Sequence, residues 1–198
     1  MREISPAENL SSESYYRTSP PQVREFIDKI RSGKNVGNRP KPSSRLIDKS
    51  SLLTEKLRRG LLDAAARLVD ENMTGRSDMC VQFAILVSQA LDYMGLSSRV
   101  AVGTAIYYNA KGRELFKWKK HAWVRVGKEV IDGNVDSLYE NPMVPEVVDI
   151  DPYWGPVTET LADRELRENR NCIVPPDSDV SEIWWPELHE WIENNYEV

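Results

Sequence analysis

The chain has few of the residues from which most recognisable sites are built. Its 198 residues include two cysteines, Cys80 and Cys172, and two histidines, His121 and His189. A zinc site needs more ligands than these, at shorter spacings, so neither a metal nor a cofactor is expected. There is no glycine-rich phosphate loop and no dinucleotide fingerprint. No basic block dominates either: 26 Lys and Arg against 31 Asp and Glu leave a net charge of −5. Nucleic acid is excluded as an expected partner, because affinity for it rests on neutralising phosphates with Lys and Arg. Long apolar runs are also missing. The best, "CVQFAILVSQALDYMGL", is broken by Gln82, Ser88, Gln89 and Asp92. It is too short and too polar to span a bilayer, so no membrane partner is expected. The opening "MREISPAENLSSESYY" has no apolar signal region. Two cysteines without such a signal read as free thiols in a reducing compartment. The expectation is therefore cytoplasmic, with secretion by a route that uses no N-terminal signal as the alternative. Nothing in the pattern bears on oligomeric state.

What is present is a folded centre with polar flanks, given 40% apolar and 29% charged residues. Residues 1–48 are rich in Ser, Pro, Asn and basic residues and read as an extension. One short helix is expected there, in "PPQVREFIDKIRSG", where Val23, Phe26, Ile27 and Ile30 recur at helical spacing. Residues 49–198 read as the domain. Leu53, Leu57, Leu61, Ala64, Ala65 and Leu68 form one stripe of an amphipathic helix ending near Gly75. A second helix from Cys80 to Met94 is apolar over most of its circumference, which marks it as buried, and Gly95 ends it. Val, Ile, Tyr and Trp then dominate, with turns at "NAKGRE" and "GKE". Strands are expected at 99–108, 115–126 and 129–135. Of the remainder, "TETLADRELREN" looks helical, "CIVPPDSD" is a loop, and "DVSEIWWPELHEWIENNY" is a helix interrupted at Pro186. Two helices followed by a strand meander make an α+β domain.

Within that frame three residue types converge. Ser77 or Asp78 is expected to cap the buried helix, which places Cys80 in its first turn. Backbone N–H groups are unpaired there and the helix dipole is positive, so a thiolate is favoured over a thiol. A nucleophilic thiol needs a base, and the base needs an orienting acceptor. If Gly127 and Lys128 form the hairpin turn, Val126 faces Glu129 and His121 faces Asn134, with Asp132 as its diagonal neighbour. Both lie within side-chain reach of the imidazole, and the count leaves Asp132 and Asn134 as alternatives. The blander readings are a core cysteine and a surface strand histidine. Trp123 is read as a wall of the substrate cleft or as part of the core, and Trp118 as a structural residue on the other strand face. The one clear oxyanion donor is the Cys80 N–H; Asn72, Thr74 and Gln82 are candidate side-chain donors.

These segments together resemble the transglutaminase-like fold of the papain-like superfamily. The step from the Cys helix to the first strand matches at Met94, Gly95, Leu96, Arg99 and Gly103; "HAWVRV" and "VIDGN" are similar to the family's second and third elements. The likeness spans about residues 76–136. It implies a helix bearing the nucleophilic cysteine, packed on an antiparallel sheet bearing His and Asp. Cys80 is then the nucleophile, His121 the base and Asp132 the orienting acid, although Gly133-Asn134 stands where the family usually has Pro-Thr. The implied activity is a cysteine-dependent hydrolase or acyl transferase on an amide or peptide bond, through a thioester acyl-enzyme. Hydrolysis of a protein or peptide substrate is favoured. The alternative is a non-catalytic protein-binding module that retains the fold.

Overall fold

In the computed structural model the described residues are 21, 47–48, 50, 52–73, 76, 78–140, 150–157 and 163–196. The helix expected at 20–33 lies outside them, apart from Pro21. Helix α1 (Glu55–Met73) starts where the Thr54 hydroxyl accepts the Leu57 N–H, the usual role of a capping threonine. Its buried stripe carries Leu61, Leu62, Ala65, Leu68 and Val69. Helix α2 (Cys80–Tyr93) follows, with Phe83, Ala84, Leu86, Val87, Ala90 and Leu91 all buried. Gly95, at φ 78°, closes it in the left-handed conformation that glycine adopts most easily. The residue before Cys80 is Met79, which makes no side-chain cap, and Ser77 lies outside the described residues. Asp78 instead takes a left-handed φ of 63° in the turn that leads into it.

Among the described residues the sheet has six strands in the order β1 (Ile47–Asp48), β5 (Tyr153–Pro156), β4 (Glu129–Asp132), β3 (Glu114–Val126), β2 (Ser98–Tyr108), β6 (Arg164–Glu168). All neighbours are antiparallel except β1 and β5. Helix α2 lies on β2 and β3, and α1 and the C-terminal helix α3 (Trp185–Asn195) pack against it. Val102, Ala122, Val124, Val126 and Ile131 meet these helices in the main core. The α+β class is as expected, and the first two expected strands fall within one residue of those observed.

Three local expectations are corrected. The strand expected over 129–135 ends at Asp132, because the chain turns under α2 at Gly133. A side chain there would sit 2.7 Å from the Phe83 ring. "TETLADRELREN" is not helical where described: Arg164–Glu168 is strand β6, paired with Gly103–Tyr107. Its period is two, with Arg164 buried and Leu166 half-buried on one side and Glu165 and Arg167 on the other. Edge pairing to β2 has overridden local helix propensity. The helix near Pro186 is widened rather than broken. Val180–Trp184 forms a π turn, and Pro186 then sits in the first turn of α3, where its missing N–H costs nothing.

Candidate active site

Strand β3 is not regular. Gly103 on β2 pairs with His121, but the next residue, Thr104, pairs with Lys119. Lys120 is therefore a bulge residue, and its φ is 61°. One extra residue inverts the alternation upstream of it. Trp118, expected on the opposite face from His121, instead stacks on the imidazole, with ring centres 4.1 Å apart and planes 28° apart. Of the two readings of Trp123, the core one holds and the cleft wall does not. Trp123 is 1% exposed and belongs to a core cluster with Ala101, Val130 and Tyr153.

The bulge fixes His121 over the end of β4. Its Nε2 lies 2.7 Å from Asp132 Oδ1, and both side chains are fully buried. The diagonal neighbour, not the directly opposed Asn134, therefore meets the ring. With Nε2 donating to the carboxylate, Nδ1 is left buried and has no hydrogen-bond partner among the described residues. The Cys80 sulfur, itself buried at the start of α2, is near enough to the ring to raise its pKa. The first helical hydrogen bond made to a residue before Cys80 is from Phe83 N–H to Met79 O. The amides of Cys80, Val81 and Gln82 thus have no intrahelical acceptor. The Gln82 side chain donates to Asp177 Oδ2; the Asn72 and Thr74 side chains lie outside the described residues.

Asp132 has two further partners that the sequence did not point to. Tyr107 Oη donates to its Oδ2 at 3.1 Å, and an Arg164 guanidinium nitrogen donates to the same oxygen at 2.9 Å. Arg164 is fully buried, is held in turn by both oxygens of Asp163, and also bonds the Asp151 carbonyl. These contacts decide the electrostatics. Burial works against an imidazolium at His121, but the charge and hydrogen bond of Asp132, with a further contribution from Cys80, outweigh it and raise the pKa to about 9. Burial likewise pushes the Asp132 carboxyl up, and His121 and Arg164 together bring it below its ordinary value. Burial and the neighbouring carboxylate hold the Tyr107 phenol well above the usual range, so it remains a donor.

Asn134 has a different task. Its Oδ1 accepts from the Arg76 guanidinium at 3.2 Å, and its Nδ2 donates to the Arg76 carbonyl at 3.2 Å. Arg76 also reaches Asp136 at 2.5 Å and Asp70 at 3.4 Å. Arg76 lies four positions before Cys80 and Asn134 two positions after Asp132. This clamp ties the segment that delivers the thiol to the segment that delivers the carboxylate.

No family model matches the chain, and no curated protein matches it. One solved structure, described as a genomics crystal structure, is similar over 63% of this chain and 70% of its own, at 12% identity and a TM-score of 0.49. Among the described residues no group of His, Cys, Asp and Glu is arranged to hold a metal, and no helix is long and apolar enough to cross a membrane.

Proposed function

We propose that this chain is a transglutaminase-like, cysteine-dependent hydrolase or acyl transferase acting on an amide or peptide bond, with hydrolysis favoured. The observation that carries the reading is the orientation of His121: Nε2 is taken by Asp132, while Nδ1 is unpartnered and has Cys80 within electrostatic range. The large majority of buried side-chain polar atoms are hydrogen-bonded. In this ring Nδ1 is open on the side where Cys80 acts.

In the proposed reaction His121 holds the proton that the Cys80 thiol has given up, which its pKa of about 9 permits at neutral pH. The sulfur attacks the substrate carbonyl, and the carbonyl oxygen takes up negative charge near the free amides at the start of α2. As the intermediate collapses, the carbon–nitrogen bond breaks, His121 gives its proton to the departing amine, and a thioester remains. Water, giving a proton to His121, then attacks the thioester and releases the acid, and Cys80 is restored. An amine in place of water would give transfer. Asp132 keeps Nε2 protonated and balances the imidazolium throughout.

The test is alkylation of Cys80 by iodoacetamide in a Cys172→Ser background, followed by mass spectrometry across pH. Fast reaction at pH 6 that is slowed by His121→Ala is the expected result. A midpoint at about pH 8.5, that of a free thiol, would return Cys80 to the core and leave the binding-module reading.

A further inference from the structure

A cleft of about 640 Å³ opens beside the candidate centre. Val81, the residue after Cys80, and Gly103, the residue paired with His121, both line it. Its floor is apolar, formed by Val81, Val102 and Val174, and its rim carries Lys117, Lys119, Lys120 and Arg167. We infer that this cleft takes an acidic peptide segment, so that the amide presented to Cys80 is flanked by Asp or Glu. The inference rests on the hydrolase reading and adds to it the chemical class of substrate.

The charge count supports it. Among the described residues two carboxylates act on the rim: Glu165 pairs with Arg167 at 2.6 Å and is also felt by Lys117, and Glu114 is felt by Arg167. Glu168, on the same strand as Glu165, is taken by Arg99. Lys119 and Lys120 have no ion pair among the described residues, and both are exposed. Unbalanced cations side by side repel, and here they sit on a chain whose net charge is −5. The bulge gathers them. In a regular strand Lys119 and Lys120 would point to opposite faces, yet both line the cleft. A lysine with φ of 61° is sterically unfavourable relative to glycine. Gly103 is held to glycine because a Cβ there would lie 2.0 Å from the Arg167 carbonyl oxygen; that approach brings β6 and its arginine to the same rim. A polyanion such as nucleic acid fits less well, since the floor is aliphatic and no aromatic ring lines the cleft for base stacking.

The experiment is calorimetric titration of the Cys80→Ser protein with end-capped hexaglutamate, hexaserine and hexalysine peptides and with a short single-stranded oligonucleotide. Hexaglutamate should bind tightest. Its affinity should fall about tenfold in Lys117→Glu/Lys119→Glu and again between 0.05 and 0.5 M salt, as screening of exposed charge requires. Lys128→Glu, in the β3–β4 turn and outside the cleft, should leave it within about twofold, the effect of an isolated surface charge. Equal affinity for hexaglutamate and hexalysine, an equal loss in Lys128→Glu, or tighter binding of the oligonucleotide overturns the inference. Should the double variant misfold, the peptide ranking and salt dependence of the Cys80→Ser protein decide alone. Binding does not use the thiol. A cleft that prefers hexaglutamate while Cys80 labels as a free thiol would retain the cleft and remove the hydrolase; a reactive Cys80 with no peptide preference would do the reverse.

Discussion

The molecule contains two histidines, each among aromatic rings, and they differ in one respect that matters. His189 on α3 lies edge-on to Tyr93, with ring centres 4.6 Å apart, and against Trp185 at 5.5 Å. His121 stacks on Trp118 with Tyr107 and Trp123 nearby. The companions are alike. What separates the two is that His121 is fully buried on a carboxylate which is itself held by Arg164 and Tyr107. His189 is half-exposed and has no carboxylate partner among the described residues. The two cysteines divide the same way: Cys80 is buried beside His121, and Cys172 is exposed in a loop. Residue type, and even aromatic company, does not make the candidate site; a buried, doubly anchored acceptor does.

The comparison can be broken most forcefully at that acceptor. Asp132→Ala removes the partner of two buried cationic groups and should cost roughly 3–5 kcal/mol of stability, the usual loss when one member of a buried pair is removed. The milder Asp132→Asn should also lower the His121 pKa, so that the alkaline limb of turnover by the proposed hydrolase moves below pH 9. Asn134→Ala should destabilise the Arg76 clamp but leave that limb in place. A limb that moved with Asn134 and not with Asp132 would reverse the assignment of the acceptor.

Next in size is the contrast of the rings themselves. His121→Ala should slow Cys80 alkylation at pH 6 by about 10²-fold or more, the scale of a lost proton acceptor. His189→Ala should leave it unchanged within error.

The third contrast lies in pH. A group whose folded pKa is raised binds more protons folded than unfolded. The stability due to His121 is thus fully present below its ordinary value of 6.5 and is lost as pH rises through about 9. Chemical denaturation across that window should show a decline of about 3 kcal/mol, absent in His121→Gln and retained in His189→Ala. The smallest effect belongs to Tyr107→Phe, which removes one donor from a carboxylate that keeps two others. A loss of about 1–2 kcal/mol is expected, read by the same denaturation.

How much of this was legible in the sequence follows from how far each contact reaches. The α+β class, α1 and α2 were readable because their periodicities are local. His121 and Asp132 were readable as neighbours because a two-residue turn at Gly127 fixes the count along the hairpin. The choice between Asp132 and Asn134 was not, since it depends on Gly133 passing under Phe83, on another element. Arg164 was hidden more deeply. It sits in a stretch of helix-forming residues and becomes a strand only by pairing with β2, some sixty residues earlier. Trp118 was misplaced because the residue that carries the bulge is Lys120, where turn chemistry would have suggested glycine or asparagine.

Strand β6 is five residues long and is the last in the sheet order beyond β2. Short terminal strands open locally at a fraction of the free energy of global unfolding. An opening of this kind would withdraw Arg164 from Asp132. The acceptor then loses its cation, and its hold on the imidazole changes with it. Amide exchange at Glu165 and Arg167, whose N–H groups face β2, would report such openings, and a ligand lying along Arg167 would make them rarer.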